Sequence, residues 1–168
     1  MTELIEEIDW DGNLVAKRPI AELKERMFPH KVSLVIPKGE NNKFIFAMRA
    51  KDKHPFPNTW TCGIGGKVSA EESYEQAALR EFKEEASVSF DVEKVAEFKY
   101  DEDHYKAIFS IFTTKNEVDI NVFKPDPREV QYFEAISLDE ISKIVAEDAD
   151  NCAPTFIAAV KAFISGLN

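Results

Sequence analysis

The first part of the chain alternates apolar and polar residues in short blocks, a pattern typical of β-strands. Residues 3–8 and 13–19 carry this alternation on either side of Asp11-Gly12-Asn13, a turn sequence in which glycine and asparagine tolerate positive φ. The pattern therefore predicts an N-terminal β-hairpin. The next segment, 21–27, has the composition of a short helix.

Two apolar runs, 32–36 and 44–48, are separated by polar residues and predict a second hairpin. Pro55 and Pro57 then indicate an irregular loop, since each proline removes a backbone donor and favours an extended predecessor. A further strand is predicted at residues 60–64, running into Gly65-Gly66.

The pattern becomes helical from residue 69 to about residue 87, where Ala78, Leu79, Phe82 and Ala86 form an apolar stripe at helical spacing. The rest of the chain predicts strands at 92–100, 105–114 and 130–136, a surface loop at 115–128, and helices at 138–147 and 154–165. Interleaved strands and helices favour an α/β fold, with a mixed sheet covered by helices. We expect one domain over residues 1–168.

Length and charge narrow the class of function. A chain of 168 residues fits one domain with a sizeable core, and its net charge of -10 opposes binding to nucleic-acid phosphates. The acidic N-terminal segment does not resemble a signal peptide, and no apolar run approaches the ~18 residues of a membrane span. With only Cys62 and Cys152, we expect a cytoplasmic protein without a disulfide framework.

The segment with candidate chemistry runs from Gly66 to Val88, a glycine-led loop that enters a helix rich in carboxylates. Glu81, Glu84 and Glu85 stand at i, i+3 and i+4, so their side chains lie on one side of a helix. Such like charges repel, and the cluster is either a solvated face or a set gathered by a cation. Clustered carboxylate oxygens suit Mg²⁺ or Mn²⁺.

This segment resembles the Nudix box, G-x5-E-x7-R-E-U-x-E-E-x-G-U, in which U is a bulky apolar residue. Eight of the nine specified positions agree in register, and Ser87 is the exception because the pattern has glycine there. The resemblance implies a Nudix-type α/β/α sandwich with a mixed β-sheet, in which residues 1–29 form an extension of a hairpin and a short helix. Agreement is found at Gly66, Glu72, Arg80, Glu81, Phe82, Glu84, Glu85 and Val88.

The resemblance also implies roles for these residues. Glu81, Glu84 and Glu85 would be ligands of Mg²⁺ or Mn²⁺, with the carbonyl near Gly66 as a further ligand. Glu72 would pair with Arg80 and orient the loop against the helix. The alternative partner for Glu72 is the backbone amide of Ser69, in an S-x-x-E capping box. We favour the Arg80 pairing and expect the two contacts to exclude each other.

Outside the box, the chain is similar to the branch of this superfamily that contains type I isopentenyl-diphosphate isomerases and related hydrolases. The similarity lies in the placing of Arg49, Lys53 and Trp60-Thr61 before the glycines. In that branch, cations placed like Arg49 and Lys53 contact the substrate's diphosphate. The isomerase reaction needs a cysteine where this chain has Gly65, and Cys62 lies three residues earlier. The Trp-Gly-Glu-His-Glu type segment of the isomerases is also not found.

The leading hypothesis is therefore a divalent-metal-dependent Nudix pyrophosphohydrolase that cleaves a nucleoside diphosphate linked to another moiety, by attack of water. The alternatives are a Nudix module that binds a diphosphate without cleaving it, and an isopentenyl-diphosphate isomerase. The general base is open between Glu129, Glu102 with its neighbour Asp103, and a carboxylate of the box. The expected partner is a small-molecule diphosphate, and a homodimer is implied only by the resemblance.

Overall fold

A computed structural model describes residues 1–86 and 89–168. Ser87 and Val88, the last two positions of the box, lie outside the described residues. The strands are β1 Leu4–Ile8, β2 Leu14–Pro19, β3 His30–Val35, β4 Lys43–Arg49, β5 Trp60–Thr61, β6 Ile64–Lys67, β7 Val92–Glu102, β8 Tyr105–Thr114 and β9 Val130–Ser137. The α-helices are α1 Tyr74–Glu85, α2 Leu138–Glu147 and α3 Pro154–Leu167.

The strands form a hairpin and two larger sheets. β1 and β2 pair antiparallel, as predicted. The four-stranded sheet has the order β6-β3-β8-β7, with β3 parallel to β8 and the other pairs antiparallel, and the three-stranded sheet has the order β5-β4-β9. The predicted mixed α/β architecture is confirmed.

The hairpin predicted from runs 32–36 and 44–48 is wrong, because β3 and β4 belong to different sheets. Their apolar runs suit strands that are covered on both faces, and such runs do not identify the partner strand. The helix predicted at 21–27 is a short 3-10 turn at Ile20–Lys24, and the strand predicted at 60–64 is interrupted between β5 and β6.

Helices cover opposite faces of the sheets. Alternating residues of β4 divide the core: Phe44 and Phe46 pack towards α2 and α3, whereas Ile45 packs towards α1. Burial of such side chains is the main driving force for this layered arrangement. No helix in the described part of the chain is long and apolar enough to cross a membrane.

Helix α1 carries the second half of the box and has a defined N-terminal cap. It begins after Ser73, which forms a capping box with Gln76. The start predicted at residue 69 is therefore too early. Its buried face contains Ala77, Ala78 and Phe82, whereas Leu79 is exposed, so the predicted stripe is wrong at that position.

His30 is fully buried at the start of β3. Its Nδ1 lies 3.0 Å from the Phe28 carbonyl oxygen, to which it donates, and its ring packs edge-on against Tyr105. Burial, with the nearby charge of Lys67, lowers the pKa of His30 from 6.5 to about 4. The fold therefore contains a neutral imidazole.

This burial predicts a pH-dependent loss of stability. The stabilising contribution of neutral His30 is complete above pH 6.5 and is lost as the pH falls towards 4, because the unfolded chain binds the proton more tightly. Relative to His30→Gln, the wild type should lose about 3 kcal/mol of unfolding free energy between pH 7 and 4. Urea unfolding at several pH values measures this. The prediction would be wrong if the unfolding free energies of the two proteins changed by the same amount between pH 7 and 4.

Candidate functional site

Two glycines allow strand β6 to approach its neighbours closely. A Cβ on Gly65 would lie 2.5 Å from the Ser33 carbonyl oxygen, and Gly65 has a φ of +148°. A Cβ on Gly66 would lie 2.3 Å from Oε1 of Glu81. The glycine that opens the box thus creates the space in which the Glu81 carboxylate sits.

Arg80 connects the loop to the carboxylates of α1. Its Nε donates to Oε1 of Glu72 at 2.9 Å and its Nη2 donates to Oε2 at 3.0 Å. Its Nη1 donates to Oε1 of Glu81 at 2.8 Å and lies 3.6 Å from Oε1 of Glu84. The predicted Glu72–Arg80 pairing is therefore present.

The expected exclusion between the two partners of Glu72 is wrong. Oε2 of Glu72 also accepts the backbone N–H of Ser69 at 3.0 Å, while both carboxylate oxygens bind Arg80. A carboxylate has about four lone-pair sites, so one group serves both donors. Burial raises the pKa of Glu72, but the hydrogen bonds from Arg80 and Ser69 outweigh it and the net pKa is lowered.

The carboxylates of Glu81, Glu84 and Glu85 in α1 differ in their exposure to solvent. The Glu81 side chain is 17% exposed, whereas that of Glu84 is 59% exposed. Burial raises the pKa of Glu81, with a contribution from Glu84, although Arg80 opposes it. Burial and the charge of Glu81 likewise raise the pKa of Glu85. A cation at this face would favour the charged forms.

The donor set fits a hard divalent cation, since its atoms are carboxylate oxygens that are partly buried and mutually repelling. Among the residues that the structure describes, no three histidine, cysteine or acidic side chains already converge on one point. Instead, the positive group that contacts the Glu81 carboxylate is the Arg80 guanidinium. Metal binding would thus require these side chains to reorient within the same patch.

The carboxylates and the expected substrate cations share one cavity. It has a volume of about 480 Å³ and a mainly polar wall that includes Arg49, Lys53, Glu81, Glu84 and Glu85. Arg49 donates to the Pro55 carbonyl oxygen at 3.0 Å. Burial lowers the pKa of Lys53, and the neighbouring Arg49 adds to this effect. The structure therefore brings together side chains that the sequence separates by 28 to 36 positions.

Of the acids considered as a general base, Glu129 lines this cavity and forms an ion pair with Lys53. Glu102 and Asp103 lie at the exposed turn between β7 and β8 and are not part of the cavity wall. Cys62 lines the cavity, but burial raises the pKa of its thiol to about 12. It is therefore protonated near neutral pH and unsuited to act as a nucleophile.

Two further charged residues of the wall, Lys124 and Asp126, were not identified from the sequence. The backbone N–H of Lys124 lies 3.3 Å from the Glu85 carbonyl oxygen, which places this segment beside the end of α1. Hydrogen bonds from Arg128 lower the pKa of Asp126 to about 2. The sequence predicts a surface loop here, but the apolar Val118 and Phe123 are buried and anchor the segment to the core.

Comparisons with known proteins agree with this geometry. Residues 27–159 match the family model of the NUDIX domain. A prenyl-diphosphate phosphatase of Methanosarcina mazei is 27% identical over 152 residues, which cover 90% of this chain and 89% of the relative. An uncharacterized Nudix hydrolase of Listeria innocua is 33% identical over 89 residues, about half of each chain.

Solved structures show the same fold. The crystal structure of the DR0079 protein of Deinococcus radiodurans has a TM-score of 0.75 at 17% identity and covers 95% of this chain and 98% of its own. A MutT protein of M. mazei has a TM-score of 0.68 at 18% identity, covering 85% and 98%. Since the family model spans most of the chain, including the loop and helix that build the cavity, the protein belongs to the Nudix hydrolase superfamily.

Proposed function

We propose that the protein hydrolyses the diphosphate bond of an organic diphosphate with the help of Mg²⁺ or Mn²⁺. The observation that carries this proposal is the cavity in which Glu81, Glu84 and Glu85 lie with Arg49 and Lys53. Acids that suit a metal and cations that suit phosphate occur there on one wall. The membership of the family and the name of the M. mazei relative support diphosphate hydrolysis.

In this proposal Glu81, Glu84 and Glu85 hold the cation, and Gly66 of β6 provides room for Glu81. When bound, a divalent ion polarises phosphoryl oxygens and makes a nearby water more acidic. Glu72 acts through Arg80, which it holds beside Glu81. Glu72 and Arg80 are therefore positioning residues. Because the chain has a net charge of -10, an anionic substrate needs positive charge at the site to compensate the repulsion.

Arg49 and Lys53 bind the diphosphate oxygens in this scheme. A water adds to one phosphorus while the bridging P–O bond breaks, and the departing phosphate carries away the bonding electron pair. Glu129 accepts the proton of the water in this scheme, because it lies in the cavity wall whereas Glu102 does not, and because the carboxylates of the box hold the cation. Its ion pair with Lys53 holds its carboxylate at this wall.

For the organic group we propose a prenyl chain first and a nucleoside diphosphate linked to another moiety second. In the described part of the chain, the cavity wall contains aliphatic residues such as Leu34, Ile64 and Val130 and no aromatic ring on which a base could stack. The M. mazei relative, named for prenyl diphosphates, supports the first choice. The second choice is supported by Phe56, an exposed ring next to the carbonyl that holds Arg49.

The alternatives of binding without turnover and of isomerisation have less support. The chain has all three candidate metal ligands, Glu81, Glu84 and Glu85, which a module that only binds does not need. The isomerase reaction needs a cysteine at the position where this chain has Gly65, and the nearby Cys62 is buried. Hydrolysis is therefore the reaction that these residues support best.

The first test is Glu85→Gln. Removing one charged ligand should lower kcat by at least about 100-fold, since the metal contributes several kcal/mol to transition-state stabilisation. The circular dichroism spectrum should not change, because Glu85 is on the cavity side of α1 and not in the core. Glu75→Gln, an exposed change on the same helix, is the matched control and should retain activity. Wild-type turnover by Glu85→Gln would refute the site.

The second test concerns the cations. Arg49→Met should raise KM about tenfold or more, because a hydrogen bond to a charged group contributes about 1.5–3 kcal/mol. Lys53→Met should do the same. The control is Lys143→Met, which removes an exposed cation of α2 that is not part of the cavity wall. An unchanged KM in both cavity variants would remove Arg49 and Lys53 from the substrate site.

The third test identifies the substrate. Phosphate release is measured from geranyl and isopentenyl diphosphate, nucleotide sugars, dinucleotides and coenzyme A, with Mg²⁺, with Mn²⁺ and with chelator. We expect metal-dependent cleavage that favours the prenyl diphosphates. Preference for the nucleotides, together with a loss in Phe56→Ala, would assign the nucleoside class instead. Ligand binding without any product would support the binding module, and allylic product would support the isomerase.

A further inference from the structure

The N-terminal hairpin lies against the loop that leads into α1. The backbone N–H of Ala70 donates to the Leu4 carbonyl oxygen at 2.8 Å, and Ile5 forms a β-bridge with Ser69. The hairpin precedes residue 27, where the match to the family model begins. The box loop therefore takes part of its backbone hydrogen bonding from a segment outside the matched region.

One side chain of β1 reaches this loop. Oε1 of Glu6 accepts the backbone N–H of Glu71 at 3.2 Å, and its Oε2 accepts Nζ of Lys31 at 2.7 Å. The Glu6 side chain is only 13% exposed. Glu71 has a φ of +69°, which is unfavourable for a residue with a side chain, so this conformation needs external support. Glu6 gives that support directly.

The contacts continue from Glu71 to the carboxylates. Its neighbour Glu72 accepts the Ser69 amide at 3.0 Å and binds Arg80 through both oxygens. Arg80 in turn donates to Glu81 at 2.8 Å. A change in the backbone at residue 71 thus alters the position from which Glu72 holds Arg80.

We propose that Glu6 is a positioning residue for the metal site: by fixing the Glu71 backbone it sets the Glu72–Arg80 pair, and so the orientation of Glu81. This inference rests on the proposed function, in which Glu81 holds a divalent cation. Outer partners of metal ligands commonly influence affinity by orienting the ligands. Glu6 acts through Glu71, Glu72 and Arg80, so its effect is smaller than that of a direct partner of Glu81.

The adjacent residue Glu7 is a matched control. It is also in β1, is similarly buried at 12% exposure, and also forms ion pairs. Its partners are Arg18 and Arg26, both within the N-terminal segment, so it has no hydrogen bond to the box loop among the described contacts. Loss of Glu7 should affect the stability of the hairpin without affecting the metal ligands.

The experiment measures Mn²⁺ binding to the full chain, by electron paramagnetic resonance of free Mn²⁺, for the wild type, Glu6→Ala, Glu6→Gln and Glu7→Ala. We expect Glu6→Ala to weaken affinity by about 3- to 10-fold. Glu6→Gln, which keeps an oxygen acceptor for the Glu71 amide, should recover most of this loss. Glu7→Ala should bind like the wild type. Thermal unfolding without metal confirms that each variant is folded.

Wild-type affinity in Glu6→Ala, or an equal loss in Glu7→Ala, would overturn the inference. If Glu6→Ala does not fold, Glu6→Asp provides the comparison, since it keeps the charge but withdraws the carboxylate by one methylene group. Unchanged affinity in Glu6→Asp would then overturn the inference, and a loss relative to Glu7→Ala would support it. Failure of the wild type to bind Mn²⁺ would instead refute the proposed metal site itself.

Discussion

The arrangement of the cavity depends on the ion pair between Arg80 and Glu72. Two parallel hydrogen bonds join the guanidinium to the carboxylate, and the same guanidinium also contacts Glu81. Arg80 and Glu72 are both partly buried, so removing either partner would leave the other charge poorly compensated. The planar guanidinium has a fixed set of donors, and lysine could not make the same contacts. One side chain therefore fixes the loop, the helix and a carboxylate relative to one another.

Charge is distributed unequally in this protein, and the distribution has chemical meaning. The chain is acidic overall, yet Arg49, Lys53 and Lys124 are directed to the wall that also contains the carboxylates of α1. The same wall also contains more acids than cations, since Glu81, Glu84, Glu85, Asp126 and Glu129 line it too. The proposed metal cation would therefore supply positive charge that the side chains of the wall do not provide.

The spacing of the box residues was sufficient to predict that Glu81, Glu84 and Glu85 lie on one side of α1. Every α-helix has the same period, so spacing along the sequence gives direction around the helix. The sequence was not sufficient to predict strand pairing. β3 pairs with β8, which is distant in the sequence, and an apolar run does not identify its partner strand. Glu72 shows a different limit. Its two proposed partners are compatible in space, and only the observed positions of Ser69 and Arg80 reveal this. Lys124 and Asp126 reach the cavity through backbone contacts that leave no pattern in the sequence.

The position of β3 between β6 and β8 also determines when the cavity can exist during synthesis. Parallel pairing with β8 requires the chain to have been made as far as Phe112, and the cavity wall further requires Glu129 and Val130. Pairing between distant segments carries a loop-closure cost and slows folding. A nascent chain that ends after α1 would already contain Glu72, Arg80 and the three candidate metal ligands, but it would lack β8 and Glu129. The carboxylates are thus made early, and the enclosed site forms late.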